Sequence, residues 1–171
     1  MPVNSPNKAF IVCGSPASGK TTYGRKLAAQ NKAVLIDIDT STERLVKLAL
    51  RCEGRNESDR DSLYFKDTFR KPIYEQMFDL ACDNLPFNHV VLVGPFTLEL
   101  GNPLWLNDLQ VRLNAAVEVH YLKCKPEVLR KRLIKRNNPR DKAKLAQWNT
   151  YLQYYKENAL PKVKHILIET Q

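Results

Sequence analysis

The 171-residue chain has no apolar run approaching the roughly 20 residues that a membrane-spanning helix needs. Its first residues, Met1-Pro2-Val3-Asn4-Ser5-Pro6, lack the apolar core of a secretory signal. Neither a membrane partner nor export is expected. The four cysteines, Cys13, Cys52, Cys82 and Cys124, stand far apart and show no metal-ligand spacing. That excludes a zinc-ribbon type of site and points to free thiols in a reducing cytoplasm. Acids are in deficit, 18 against 27 Lys and Arg, for a net charge of +9. No internal repeat, low-complexity run or linker divides the sequence, so one domain spanning residues 1–171 is expected.

The positive charge is local. Residues 123–144 hold ten Lys and Arg and two acids, Glu127 and Asp141, while the remainder is nearly balanced. A general coating for nucleic acid would be spread more evenly.

The most informative stretch is Gly14-Ser15-Pro16-Ala17-Ser18-Gly19-Lys20-Thr21, which satisfies G-x-x-x-x-G-K-[ST]. In that pattern glycines let the backbone wrap a phosphate, and successive N–H groups form an anion nest. The lysine adds a full charge at the β- and γ-phosphates, and the threonine hydroxyl serves Mg²⁺. The apolar run Lys8 to Cys13 precedes it as a strand, and a helical pattern from Thr22 to Gln30 follows. Strand, glycine loop and helix therefore stand in the required order.

Four more apolar segments read as strands: Ala33 to Ile38, His89 to Val93, Val117 to Leu122 and His165 to Ile168. They are short and rich in Val, Ile and Leu, as parallel strands covered on both faces are. Helical patterns separate them. Thr40-Ser41-Thr42-Glu43 reads as a capping box that starts a helix just after Asp39. Ile73, Met77, Leu80, Ala81 and Leu85 mark a second helix face, and Asn102-Pro103 opens a third, with Leu106, Leu109 and Leu113. Leu129 and Leu133 share a face. Leu145, Trp148, Leu152 and Tyr155 share another, on a helix closed by Pro161. Residues 51–62 read as a polar loop. The alternation makes an α/β domain with a parallel sheet.

Asp37 and Asp39 end the second strand, at the sheet edge where such folds bind ligands. At i, i+2 on an extended strand their carboxylates point the same way. One could join a metal shell and the other accept a proton from a substrate hydroxyl; the alternative is that either caps a helix. Farther on, Arg132 and Arg136 share a helix face, Asn137-Asn138-Pro139 breaks that helix, and Arg140 follows. This describes a phosphate-closing lid over about residues 130–145, with arginines neutralising the transferring group. The alternative is a solvated helix face, the reading preferred for Arg130, Lys131 and Lys135.

With these motifs the chain resembles the small P-loop kinases: shikimate and gluconate kinases, chloramphenicol phosphotransferase, and the AAA-type kinases near zeta toxins and polynucleotide 5′-kinases. The resemblance rests on Gly14 to Thr22, on Asp37-Ile38-Asp39, on Val90-Val91-Leu92-Val93-Gly94-Pro95-Phe96 and on Arg132, Arg136 and Arg140-Asp141. It implies a three-layer α/β/α fold with a five-stranded parallel sheet of order 2-3-1-4-5 and an adenylate-kinase-like lid. It also implies ATP and Mg²⁺, with the acid matching Asp39 as base and that matching Asp37 near the metal. One departure is Gly94 after the third strand, where many P-loop enzymes carry a Walker B acid. Shikimate kinases share that glycine, and the metal shell shifts toward Thr21, Asp37 and water.

The expected catalytic residues are thus Lys20, Asp39, Arg132 and Arg136. Nucleotide contacts are expected from Gly14, Ser15, Pro16, Ala17, Ser18, Gly19, Lys20, Thr21 and Thr22, with Arg132 and Arg140. The metal falls to Thr21 and Asp37. Arg44, Arg55, Arg60, Phe65, Arg70, Tyr74, Phe96 and Thr97 are acceptor-site candidates, with Gly94-Pro95 admitting a ligand to the backbone and Phe96 as an apolar wall. The expected activity is transfer of the ATP γ-phosphate to a hydroxyl of a small molecule, by a monomer or homodimer. The alternatives are a polynucleotide 5′-hydroxyl kinase and a non-enzymatic nucleotide-binding regulatory module.

Overall fold

The computed structural model describes residues 6–60, 62–157 and 161–171, without the side chains of 154–157. Five strands form one sheet: β1 (Lys8–Gly14), β2 (Val34–Asp37), β3 (Val90–Val93), β4 (Ala116–Cys124) and β5 (Ile166–Thr170). Their order is β2-β3-β1-β4-β5 and every pairing is parallel. Helices α1 (Lys20–Asn31), α2 (Ile38–Cys52), α3 (Leu63–Thr68), α4 (Arg70–Asn84) and α5 (Trp105–Leu113) alternate with the first four strands. After β4 come α6 (Pro126–Arg136), a 3₁₀ turn at Pro139–Asp141, α7 (Lys142–Ala146) and α8 (Trp148–Glu157).

Strand alternation sorts the core onto two faces. Ala9, Ile11 and Cys13 of β1 join Val90 and Leu92 of β3 in a large cluster with Met77, Phe78, Ala81 and Leu109. Phe10, Val12, Val91 and Val93 face the other way and pack with Leu27 and Ala28 of α1. Both faces of the central strands are covered, which is why these segments read as continuous apolar runs. At the edge this fails: β5 pairs only with β4, and Ile166 and Leu167 are exposed. All four cysteines are free, and Cys13 is fully buried.

Local boundaries depart from expectation where capping overrides periodicity. Helix α2 starts at Ile38, not after Asp39. Asp37 is its N-cap, with an extended backbone and a side chain that accepts from the N–H groups of Asp39 and Thr40. The two carboxylates therefore do not alternate along one strand; Asp37 closes β2 and Asp39 sits in the first helical turn. Helix α5 starts at Trp105, because the Asn102 side chain accepts from Leu104 N–H and holds a turn there. Residues 142–157 form two helices, since Gln147 leaves helical geometry at φ −115°, ψ 46°. The Tyr155 side chain lies outside the described residues. Helix α3 was not foreseen; Ser62 caps it by accepting from Phe65 N–H at 3.0 Å.

Candidate functional site

The phosphate loop leaves β1 at Gly14 and enters α1 at Lys20. Gly19 forms the N-cap in the left-handed region at φ 95°. No side chain caps this helix start, so its N–H groups keep their donors toward the loop. The Lys20 ammonium donates to the Ser15 carbonyl at 2.8 Å and holds the loop around itself. Burial pulls the Lys20 pKa down to about 8, with Arg136 lowering it further while Asp39, Cys13 and Asp37 act to raise it. The Thr21 hydroxyl donates to the Asp37 carboxylate at 2.7 Å, joining the loop to the end of β2.

Asp39 is gripped from the far side. Arg140 binds its two carboxylate oxygens at 3.0 and 2.8 Å. Burial raises the Asp39 pKa, but the Arg140 hydrogen bonds and charge, with Arg60 and Lys20 behind them, outweigh that and hold it below the ordinary value. Arg136 makes the equivalent fork onto Asp141, a carboxylate that is only 1% exposed. Arg132 reaches back to the loop, donating to the Ala17 carbonyl at 3.1 Å and to the Gln171 carbonyl. All three arginines are thus tied by their side chains, not splayed into solvent as a bare charge run would be.

Most of these groups line one cleft of about 970 Å³; Gly14, Ser15 and the buried Asp37 are not among its lining residues. Its walls include the loop from Pro16 to Thr22, the three arginines and Asp39. Of the acceptor candidates, Arg60, Phe65, Arg70, Tyr74 and Thr97 line it as well. Arg44 and Arg55 are exposed and are not among the lining residues, and Arg55 stacks over Tyr64. Phe96 is not a wall either. It is fully buried in the core against Tyr74 and Trp105, and Gly94 makes room for its ring, not for a ligand. Pro95 alone of that turn faces the cleft.

The sequence reading missed Lys144 of α7, Tyr151 of α8 and Gln147 between them, which line the cleft. Helical spacing could not have grouped them, because the helix breaks at Gln147. It also missed Tyr23, whose hydroxyl pairs with His120 at 2.8 Å, itself joined to Glu118 at 2.8 Å.

The loop suits a phosphate on its own geometry. Ser18 is fully buried, and its hydroxyl has no hydrogen-bond partner among the described residues. A Cβ at Gly14 would stand 2.4 Å from the Leu122 carbonyl, so the chain path admits no side chain there. For a cation, no group of three or more His, Cys, Asp and Glu exists among the described residues. An ion beside Thr21 and Asp37 would take its other oxygens from phosphate and water, which suits Mg²⁺.

In the free protein the Lys20 charge is lost as pH rises through about 8. Nucleotide Kd is expected to rise from that pH upward in a titration at fixed Mg²⁺, and Lys20→Arg, which stays charged, to remove that break. A flat profile for the natural chain up to pH 10 would overturn the assignment.

Residues 10–158 match the AAA domain family. A shikimate kinase of Clostridium botulinum (strain 657 / Type Ba4) is 29% identical over 127 residues. That match covers 74% of this chain and 65% of the relative, just under two thirds of its length. Among solved structures, a shikimate kinase from Acinetobacter baumannii in complex with shikimate superposes with a TM-score of 0.59 at 19% identity, covering 99% of this chain and 86% of that one. A sugar kinase from Janibacter sp. HTCC2649 does so with 0.59 at 20% identity, over 96% and 86%. At such identities the structures establish a shared fold.

Proposed function

The chain belongs to the AAA domain family, and from that premise we propose that it is an ATP-dependent kinase acting on a hydroxyl of a small molecule. One observation carries the reading: Lys20, Asp39 and the three arginines line a single cleft together with the phosphate loop from Pro16 to Thr22. The shikimate kinase relatives and the sugar kinase fold neighbour support it.

The nucleotide lies along Gly14 to Thr22 with its phosphates on the loop N–H groups and on Lys20. Mg²⁺, held at Thr21 and Asp37, supplies charge neutralisation of the phosphate oxygens when bound. The acceptor oxygen forms its bond to the γ-phosphorus as the bond to the β,γ-bridging oxygen breaks, and ADP leaves with that electron pair. Asp39 takes the hydroxyl proton. Its grip by Arg140 stabilises the carboxylate and weakens it as a base, so Arg140 must exchange Asp39 for phosphate oxygens before transfer. Arg132 and Arg136 add positive charge over the transferring group. Residues 130–145 act in this as a lid, closing on nucleotide.

A radiolabelled-ATP transfer screen over sugars, hydroxy acids, aryl alcohols, nucleosides and 5′-hydroxyl oligonucleotides tests the proposal. A labelled small-molecule product is the expected result. Labelling of oligonucleotides alone, with a steep salt slope, would replace it with a polynucleotide kinase. Nucleotide binding without any labelled product would reduce the protein to a binding module.

A further inference from the structure

Two arginines of the lid are held by different edges of their guanidinium groups. Arg140 binds Asp39 end-on, giving Nη1 to one carboxylate oxygen at 3.0 Å and Nη2 to the other at 2.8 Å. Arg136 binds Asp141 side-on, through Nε and Nη2, each at 2.8 Å. The N–H groups of a guanidinium stand in a rigid planar fork, so the edge that is used decides the edge that is left. Side-on pairing leaves Arg136 the N–H groups of Nη1 and the outer one of Nη2, which together make a second fork. Among the described residues no other acceptor meets that fork. Arg140 has already spent its equivalent edge.

Arg136 and Asp141 both line the cleft. The Arg136 charge acts on Lys20 and lowers its pKa, so two cations of the site are held in mutual repulsion that a bound anion would relieve. The two acid–arginine pairs also differ in how readily they part. The Asp141 side chain is 1% exposed. The turn that carries it is fixed: its N–H donates to the Asn138 carbonyl at 2.9 Å, and the Arg140 N–H donates to the Asn138 side chain at 3.1 Å. Drawing Arg136 away would strand a carboxylate out of reach of water, which is strongly unfavourable. The Asp39 side chain is 38% exposed and can be released to water or to a hydroxyl. Arg140 is therefore the arginine that exchanges, and Arg136 the one already set.

We infer that Asp141 is a positioning residue that holds Arg136 as a preformed clamp for the terminal phosphate of the nucleotide. This rests on the kinase reading for where that phosphate lies, but it concerns binding and needs no acceptor.

Calorimetric titration of the full chain with Mg²⁺ and either ADP or a non-hydrolysable ATP analogue tests it. Asp141→Asn keeps the shape of the side chain but presents an amide N–H where the Arg136 fork needs an oxygen. The analogue is expected to bind this variant about tenfold more weakly than the natural chain, the worth of a misplaced charge-assisted pair, with ADP changed by no more than about twofold. Charge alone has the opposite sign, because removing an acid from an anion site tightens anion binding. Equal or tighter binding of the analogue overturns the inference. So does equal weakening of both nucleotides, which is what a merely loosened lid would give. Should Asp141→Asn not melt cooperatively, the Arg136 Nε–H signal of the ¹⁵N-labelled natural chain, assigned by its loss in Arg136→Lys, decides the matter. It is expected to stay protected from exchange when the analogue is added. Its loss would mean that nucleotide draws Arg136 off Asp141, and would overturn the inference. A weakening confined to the analogue, with no labelled product from the acceptor screen, upholds it and counts instead against the kinase reading.

Discussion

Asp39→Asn is expected to slow phosphoryl transfer by about 10²- to 10⁴-fold, the range that general-base catalysis supplies, with nucleotide affinity changed by no more than a few-fold. Asparagine keeps the shape and one acceptor oxygen for Arg140 but cannot take a proton. Nucleotide affinity is expected to be spared because the proposed phosphate contacts fall to the loop, Lys20 and the arginines, not to Asp39. A companion variant reads the state of the base. Arg140 is the main influence lowering the Asp39 pKa, so Arg140→Gln raises it. Transfer needs the carboxylate, and activity is lost as pH falls through its pKa. The acidic limb of the kcat/KM profile therefore moves to higher pH in Arg140→Gln. Transfer by Asp39→Asn at a near-normal rate would remove Asp39 from the chemistry.

The sheet was legible in the sequence because its strands obey one simple rule. Buried parallel strands such as Val90–Val93 carry apolar residues at every position, and nothing competes with that signal. The phosphate loop was legible for a different reason: backbone geometry restricts residue types at fixed positions, so the motif is nearly a drawing of the loop. The helix starts were less visible. Thr40-Ser41-Thr42-Glu43 offers a capping box, yet Asp37 captures the free N–H groups two residues earlier, because β2 ends there and presents its carboxylate to them. Local pattern allowed both solutions, and the strand end chose.

Pairing of charges was hidden for a deeper reason. The arginine spacing placed Arg132, Arg136 and Arg140 in one segment, but not the partner of each. Arg136 takes Asp141, only five residues away, whereas Arg140 takes Asp39 across 101 residues of sequence. Asp141 could have been flagged as one of only two acids within the basic run 123–144, and the one beside Arg140; Asp39 could not. Phe96 shows the opposite error. A residue after Gly-Pro at a ligand-binding edge suggests a wall, but an aromatic ring next to Tyr74, Phe78 and Trp105 gains more from the core.

Gly14→Ala carries the largest expected cost to stability. Gly14 has φ 136°, a conformation that L side chains rarely adopt, and its added Cβ would stand 2.4 Å from the Leu122 carbonyl oxygen. That oxygen belongs to the backbone of β4, which pairs with β1 in this register. Neither strand can yield without breaking the ladder that holds them. Backbone strain alone costs about 1–3 kcal/mol, and the clash adds to it. A total near 3 kcal/mol corresponds to a fall in Tm of roughly 6–12 °C for a chain of this size. Gly101→Ala is the control, since a Cβ there meets nothing within 4 Å, and it is expected to shift Tm by less than about 2 °C. Thermal melts of the two variants beside the natural chain decide the point. Equal Tm values for all three would mean that the loop relaxes around a side chain. The close approach of Gly14 to β4 would then not be what fixes the phosphate loop on the sheet.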